Sequence, residues 1–207
     1  MKYFTVFFFT IIFSSCRSQV DIKQNNIKQS ENSIVNDFLD AELKNESYKK
    51  YKDYNIVIIE DAGNGIKSLN AYEYAYKDFH SNVKNVTLED NLRLGWILDS
   101  LELKKYREKI INIESYEWKV TDFKNIKVKL LKFEELRKTT NTGKYLKNNL
   151  IIFLSSPLLI DKNNALLSFE IGNGDLGFNS ITHFTALMKK KNDKWEVQTS
   201  YWDGVVN

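Results

Sequence analysis

Four runs of apolar or alternating residues fill the last third of the chain, and turn residues close each of them. Runs of four to eight such residues between turn signals are typical of strands that follow one another in an antiparallel meander. The four runs are Leu150–Pro157, Ala165–Ile171, His183–Met188 and Lys194–Trp202. A glycine-rich connection, 171–177, joins the second run to the third. Pro157 follows the first strand, where no ladder hydrogen bond requires the N–H that proline lacks.

The last run alternates regularly. Its odd-numbered residues from Trp195 to Tyr201 are large or β-branched, and its even-numbered residues are polar. Successive side chains of a strand point to opposite faces, so we predict that Trp195 and Tyr201 share one face. Asn192-Asp193 before the run is a tight-turn signal, which predicts a hairpin with the preceding strand.

Upstream, apolar positions three or four residues apart predict helices. Helices are predicted at 34–51, 69–79, 88–98 and 100–111, with a further helical turn at 134–137 and a loop at 139–143. Two helix starts carry capping signals: Thr87 can cap the third, and Asp99 with Glu102 three residues later forms a capping box for the fourth. Short β-branched runs predict strands at 54–60 and 126–133.

These elements predict an α+β fold in one domain, residues 32–207. N-terminal helices are expected to pack over one face of a mostly antiparallel sheet that ends in the four-strand meander. Cystatin-like and nuclear-transport-factor-like folds also have helices before a curved sheet and are the two analogues considered. That analogy concerns the fold and implies no function.

The first fifteen residues have the pattern of a secretory signal peptide. Lys2 gives a positive start, Tyr3 to Phe13 form an uncharged apolar run, and Ser14-Ser15 are small residues before a cleavage site. The apolar run is shorter than the roughly 20 residues that span a bilayer as a helix. We therefore expect residues 1–15 to be removed from the exported protein.

Small residues directly before the single cysteine, Cys16, resemble the lipobox of bacterial lipoproteins, with Phe13 where leucine is usual. The resemblance implies that the Cys16 thiol takes a diacylglycerol, that cleavage precedes it, and that the new amine is acylated, for example with palmitate. Two or more acyl chains make membrane attachment stable. The alternative is a secreted protein whose cysteine merely falls near the cleavage site.

Residues 16–31 are rich in Asn, Gln and Lys and lack hydrophobic periodicity, so they are predicted to be a flexible tether. Charges of both signs are interspersed, and the net charge of +3 includes Lys2 of the signal peptide. No block of basic residues favours a nucleic-acid partner. The expected location is the bacterial cell envelope, on the outer membrane, with the protein facing the periplasm or the cell surface.

The C-terminal pattern is similar to that of small lipoproteins of Bacteroidota. It consists of a strand closing in Leu154-Ser-Ser-Pro157, an alanine-led strand, the glycine-rich hairpin and the final Lys194-Trp195-Glu-Val197 strand. The match covers about the last sixty residues, with 118–123 as a weaker upstream match. Its motifs are structural, so it implies an anchored envelope protein and carries no activity. Related chains often have cysteines in the glycine loop, and this chain has none there.

Candidate chemistry is sparse. Of the two histidines, His80 is expected near a helix end, whereas His183 begins a strand beside the glycine loop. The candidate residues for a shallow acid–base or ligand site lie near that loop and at the chain's aromatic, acidic end: Glu170, Asp175, His183, Trp202 and Asp203. Gly-x-Ser-x-Gly, metal-ligand spacings and phosphate-loop fingerprints are absent from the sequence, so we predict no catalytic residue, metal or cofactor.

Two functions of different class follow. The first is a non-enzymatic, membrane-tethered module that binds a protein or another envelope component. The second is an envelope hydrolase, which requires Glu170, Asp175, His183 and Asp203 to converge in one cleft. Trp202 adds a further test, because exposed large aromatic side chains mark a contact surface, whereas buried ones belong to the core.

Overall fold

The computed structural model of the chain describes residues 31–83, 87–113, 115–142 and 146–202. Within these ranges the helices are 31–42 (α1), Ile66–Asn82 (α2), Leu88–Arg93 (α3), Ser100–Ile110 (α4) and Phe133–Asn141 (α5). The strands are Asn55–Ile59 (β1), Asp61–Gly63 (β2), Tyr116–Glu117 (β3), Val128–Leu131 (β4), Asn149–Leu154 (β5), Leu158–Leu159 (β6), Asn164–Asn173 (β7), Asn179–Lys191 (β8) and Lys194–Tyr201 (β9). Short 3₁₀ turns occupy Glu46–Tyr51 and Val120–Asp122.

The main sheet has seven strands in the order β4-β1-β5-β7-β8-β9, with β6 pairing beside β7, and β2 and β3 form a separate two-stranded ribbon. Strands β5, β7, β8 and β9 run antiparallel in succession. They are the four predicted strands of the C-terminal meander. The α+β class and the meander are therefore confirmed.

Three strands are parallel, which the hydrophobic pattern did not predict. β1 lies between β4 and β5, and its Ile56 is in register with Val128 on one side and Leu150 on the other. The carboxyl ends of β1 and β5 consequently lie side by side. The loops that follow them are joined there, because Ser156 donates its N–H to Ala62 O at 2.9 Å and its hydroxyl to Gly63 O at 3.1 Å.

Helices cover both faces of the sheet, and not one face as the sequence suggested. β7 explains the difference, because residues 165–169 are all buried and its alternating side chains enter two separate cores. Leu167 and Phe169 pack beneath α1, and the Phe38 and Phe169 rings are 4.5 Å apart. Leu166 packs on the opposite face, beneath α2 and α4. A strand that is apolar on both faces needs a layer on each.

Local differences from the predicted elements have identifiable causes. Thr87 caps α3 as predicted, accepting from Asp90 N–H at 3.1 Å, but the helix ends at Arg93 because Gly95 adopts a positive φ of 87°. The capping box of Asp99 and Glu102 is present on α4. The loop predicted at 139–143 begins late, since α5 continues to Asn141.

The predicted shared face of β9 is wrong. The β8–β9 register shifts between Met188, which pairs with Val197, and Leu187, which pairs with Thr199. The extra residue is a β-bulge, and a shift of one residue reverses which face the side chains occupy. Trp195 therefore enters the core under α1, whereas Tyr201 enters the core under α2.

The predicted signal peptide, Cys16 and residues 17–30 of the tether lie outside the described residues. Among the described helices, none combines the length and the hydrophobicity needed to cross a membrane.

Candidate functional site

Glu170 and His183 are brought together by the sheet. They are register partners on β7 and β8, and both side chains are partly buried. Phe153 of β5 lies opposite Glu170 on its other side. Side chains directly opposite in an antiparallel pair are close enough to interact, so these two predicted residues form a pair on the face that carries α2 and α5.

Asp175 does not join that pair. Its carboxylate accepts the Tyr54 hydroxyl at 2.7 Å and the Asn148 N–H at 2.9 Å. The Asn148 hydrogen bond is the leading cause that holds the pKa of Asp175 below its usual value. Asn148 lies five residues before Phe153, the partner of Glu170, so about 16 Å of strand separate the two acidic groups. Asp175 anchors the β7–β8 turn to the amino ends of β1 and β5.

The remaining predicted residues lie at the end of β9. Trp202 is half exposed, at 50%, and its ring meets that of Tyr74 edge to face at 6.1 Å. Asp203 lies outside the described residues. His80, the other histidine, is held on α2: its Nδ1 is 2.8 Å from Tyr76 O, its Nε2 is 3.1 Å from Asn91 Oδ1, and its ring lies 4.0 Å from that of Tyr76.

In the part of the chain that the structure describes, no group of three or more His, Cys, Asp or Glu side chains is placed to hold a metal ion.

A buried hydroxyl cluster lies where α2 meets the sheet. Ser168 N–H donates to Ser155 Oγ at 2.9 Å and to Ser68 Oγ at 3.0 Å, and those two hydroxyls are 3.0 Å apart. The hydroxyls satisfy one another and fix α2 to β5 and β7, which is a structural role.

A depression lined by aromatic side chains opens between α2 and the edge strand β9. It has a volume of about 300 Å³. We call its apolar lining the aromatic patch, comprising Tyr74, Phe79, Leu94, Trp96 and Trp202. Asp78, Thr199 and Ser200 add polar groups to the lining. Tyr74 and Trp202 are each 50% exposed and Leu94 is 40% exposed, so the patch presents large apolar side chains to solvent.

Buried tyrosines hold the patch in place from below. Tyr72 receives the Leu98 N–H at 2.9 Å and donates to Leu98 O at 3.2 Å, and Tyr201 donates to Gly95 O at 2.5 Å. These bonds fix segment 95–98 against α2 and β9. Burial raises the pKa of both tyrosines well above its ordinary value, so they remain neutral hydrogen-bond donors. The Trp96 ring packs 5.0 Å from that of Tyr201.

Sequence reasoning found only part of this site. It named Trp202, but it placed Leu94 and its neighbours along a continuous helix and did not single out Trp96. The available signal was the helical spacing of Tyr72, Tyr76 and His80, whose rings pack against that of Trp96, since residues four apart share a helix face. The position of Trp96 depends on the turn at Gly95, which periodicity does not reveal.

No family model matches the chain, and comparisons with curated proteins and with solved structures likewise gave no match. The similarity to Bacteroidota lipoproteins remains a prediction from the sequence motifs.

Proposed function

We propose that this protein is a lipid-anchored, non-enzymatic binding module of the bacterial cell envelope, which engages a protein partner or another envelope component through the aromatic patch. The exposure of Trp202 and Tyr74 carries the proposal. Large aromatic rings left half exposed around a depression favour a contact surface, because Trp and Tyr are enriched among the residues that dominate binding energy.

The support for the patch is the contrast within one aromatic cluster. Tyr72 and Tyr201 are buried and hydrogen-bonded, whereas Tyr74 and Trp202 stand at the rim. The core therefore does not require the outer rings to the same degree. Rigid rings supported from below are suited to binding, since little conformational entropy is lost when they are covered.

The alternative is an envelope hydrolase, and one observation favours it: Glu170 and His183 face each other across β7 and β8. The separation of Asp175 from this pair favours the binding module instead, because the predicted acid–base set does not converge among the described residues. A glutamate–histidine pair alone lacks the positioned nucleophile or metal that hydrolysis requires.

A cross-linked pull-down from the protein's own membranes tests the proposal. The wild-type protein is compared with Trp202→Ala and with Leu176→Ala, a control that removes an apolar side chain 83% exposed in the β7–β8 turn. We expect one near-stoichiometric component, identified by mass spectrometry, to be lost with Trp202→Ala and retained with Leu176→Ala. Equal recovery by both variants would contradict the role of the patch.

The lipid anchor has its own test. Cys16→Ala should abolish labelling by radioactive fatty acid and release the protein from membranes, because it removes the thiol that carries the diacylglycerol. Unchanged labelling would end the lipoprotein interpretation and would leave the aromatic patch to be judged by the pull-down alone.

A further inference from the structure

A second exposed apolar surface lies apart from the aromatic patch. Ile111 is 72% exposed, Val120 is 56% exposed and Ile113 is 48% exposed. We call these three residues the aliphatic patch. Ile111 and Ile113 follow the end of α4, and Val120 begins the 3₁₀ turn after β3. Such strongly exposed β-branched aliphatic side chains contribute little to the core and are costly in water.

Two members of the aliphatic patch, Ile113 and Val120, lie near the point where the described chain begins. Glu31, the first described residue, lines the same groove as Ile113, a largely apolar cleft of about 440 Å³ between α4 and the β5–β6 segment. On the other side, Asn32 donates to Asp122 at 3.0 Å, and Asp122 closes the turn that Val120 opens. The start of α1 therefore lies near Ile113 and near the 3₁₀ turn that begins at Val120.

The chain from the predicted lipid anchor joins the domain at the start of α1. Fourteen residues, 17–30, separate Cys16 from Glu31. Even fully extended, that length spans at most about 50 Å, and a flexible chain of this length has a typical end-to-end distance nearer 20 Å. An anchored domain is thus held close to the bilayer, and a weak surface contact becomes an intramolecular one with a high effective concentration.

We infer that the aliphatic patch rests on the lipid bilayer and inserts its side chains among the headgroups. The inference assumes the lipid anchor of the proposed function. Charges of both signs lie near the patch: Lys109 and Glu31 line the groove, and Glu117 and Lys119 directly precede Val120 in the chain. Attraction to anionic lipid is therefore not required, and burial of aliphatic surface about 5–10 Å into the interface supplies the contact.

This placement also orients the molecule. The groove beside the patch is lined by Ser156 and Pro157, which follow the carboxyl end of β5, whereas the β7–β8 turn is bound to the amino end of β5 through Asp175 and Asn148. Leu176 in that turn is consequently at the far end of the strand, away from the bilayer. Ile113, in the groove near the bilayer, and Leu176, at the opposite end of β5, therefore form a matched pair of exposed aliphatic residues.

Fluorescence quenching in vesicles tests the inference. Because Cys16 carries the lipid, Ile113→Cys and, separately, Leu176→Cys each provide one free thiol for an environment-sensitive fluorophore. The lipidated proteins are reconstituted in vesicles of phosphatidylethanolamine and phosphatidylglycerol that contain nitroxide-labelled lipid. Both substitutions replace exposed side chains, and circular dichroism checks that each variant is folded.

We expect the probe at 113 to shift its emission to the blue and to be quenched by the nitroxide lipid, while the probe at 176 keeps its emission. Ile111→Cys should behave as Ile113→Cys does. Equal emission at 113 and 176 in protein that sediments with the vesicles would overturn the inference and leave the anchor intact. Failure of both proteins to sediment with the vesicles would contradict the anchor, and with it the inference.

Discussion

Gly95 is the position at which a single methyl group should disturb the aromatic patch most. Its φ is +87°, and a Cβ built there would lie 2.7 Å from Thr199 Cγ2 and 2.9 Å from Tyr201 Oη. Both distances are shorter than non-bonded carbon–carbon and carbon–oxygen contacts allow. Gly95→Ala must therefore displace β9, the turn at Gly95, or both. Displacement also weakens the hydrogen bond from Tyr201 to Gly95 O.

The expected loss has separable parts. Holding alanine in a left-handed conformation costs about 1–2 kcal/mol. Overpacking of a filled site costs about 1–3 kcal/mol more. The variant should therefore lose about 2–5 kcal/mol of unfolding free energy. For a domain of this size, each kcal/mol lowers Tm by about 2–4 °C.

Gly63→Ala is the matched control. Gly63 also has a positive φ, +61°, but a Cβ there would meet no atom within 4 Å. Gly63→Ala should therefore lose only the unfolding free energy that the left-handed backbone costs, about 1–2 kcal/mol. Urea unfolding of the wild type and both variants, followed by circular dichroism, measures the difference. Equal losses for the two variants would show that the contacts between segment 95–98 and β9 are not close-packed, and would refute this reasoning.

Two further predictions concern stability. Trp195→Ala should cost about 3–5 kcal/mol in urea unfolding, because its side chain is only 2% exposed, whereas Trp202→Ala should cost less than half as much; similar losses would place Trp202 in the core. Lys77, with Arg107, lowers the pKa of Glu73. The Glu73 carboxylate therefore stabilises the fold above its unfolded pKa near 4.5, and this contribution is lost as the pH falls below that value. Glu73→Gln should remove that part of the acid dependence of Tm, and an unchanged dependence would assign it to other groups.

The features that the sequence predicted correctly are those set by interactions between residues close together in the chain. The capping box of Asp99 and Glu102 and the turn at Asn192-Asp193, where both residues have positive φ, are set by neighbours in the chain. The meander was equally accessible, since each of its main strands pairs with the next. Local patterns of this kind are visible without knowing the rest of the fold.

What was missed depends on contacts that periodicity does not encode. The parallel pairing of Ile56 with Val128 and Leu150 joins segments more than seventy residues apart. The bulge in β9 sends Trp195 and Tyr201 to opposite faces, although the sequence alternates without a break. Trp96 reaches the aromatic patch only because the chain turns at Gly95. The bulge and the turn at Gly95 assemble the candidate site, which explains why only Trp202 could be named in advance.

Site-specific photo-cross-linking in intact cells tests the central claim most directly. A photoreactive phenylalanine analogue is placed at Tyr74 in the aromatic patch and, separately, at Leu176 at the far end of β7. Because Tyr74 is half exposed beside Trp202, the account predicts a discrete cross-linked species at position 74 that disappears with Trp202→Ala and is absent at position 176. The same species at both positions, or one at position 74 that persists without Trp202, would contradict it.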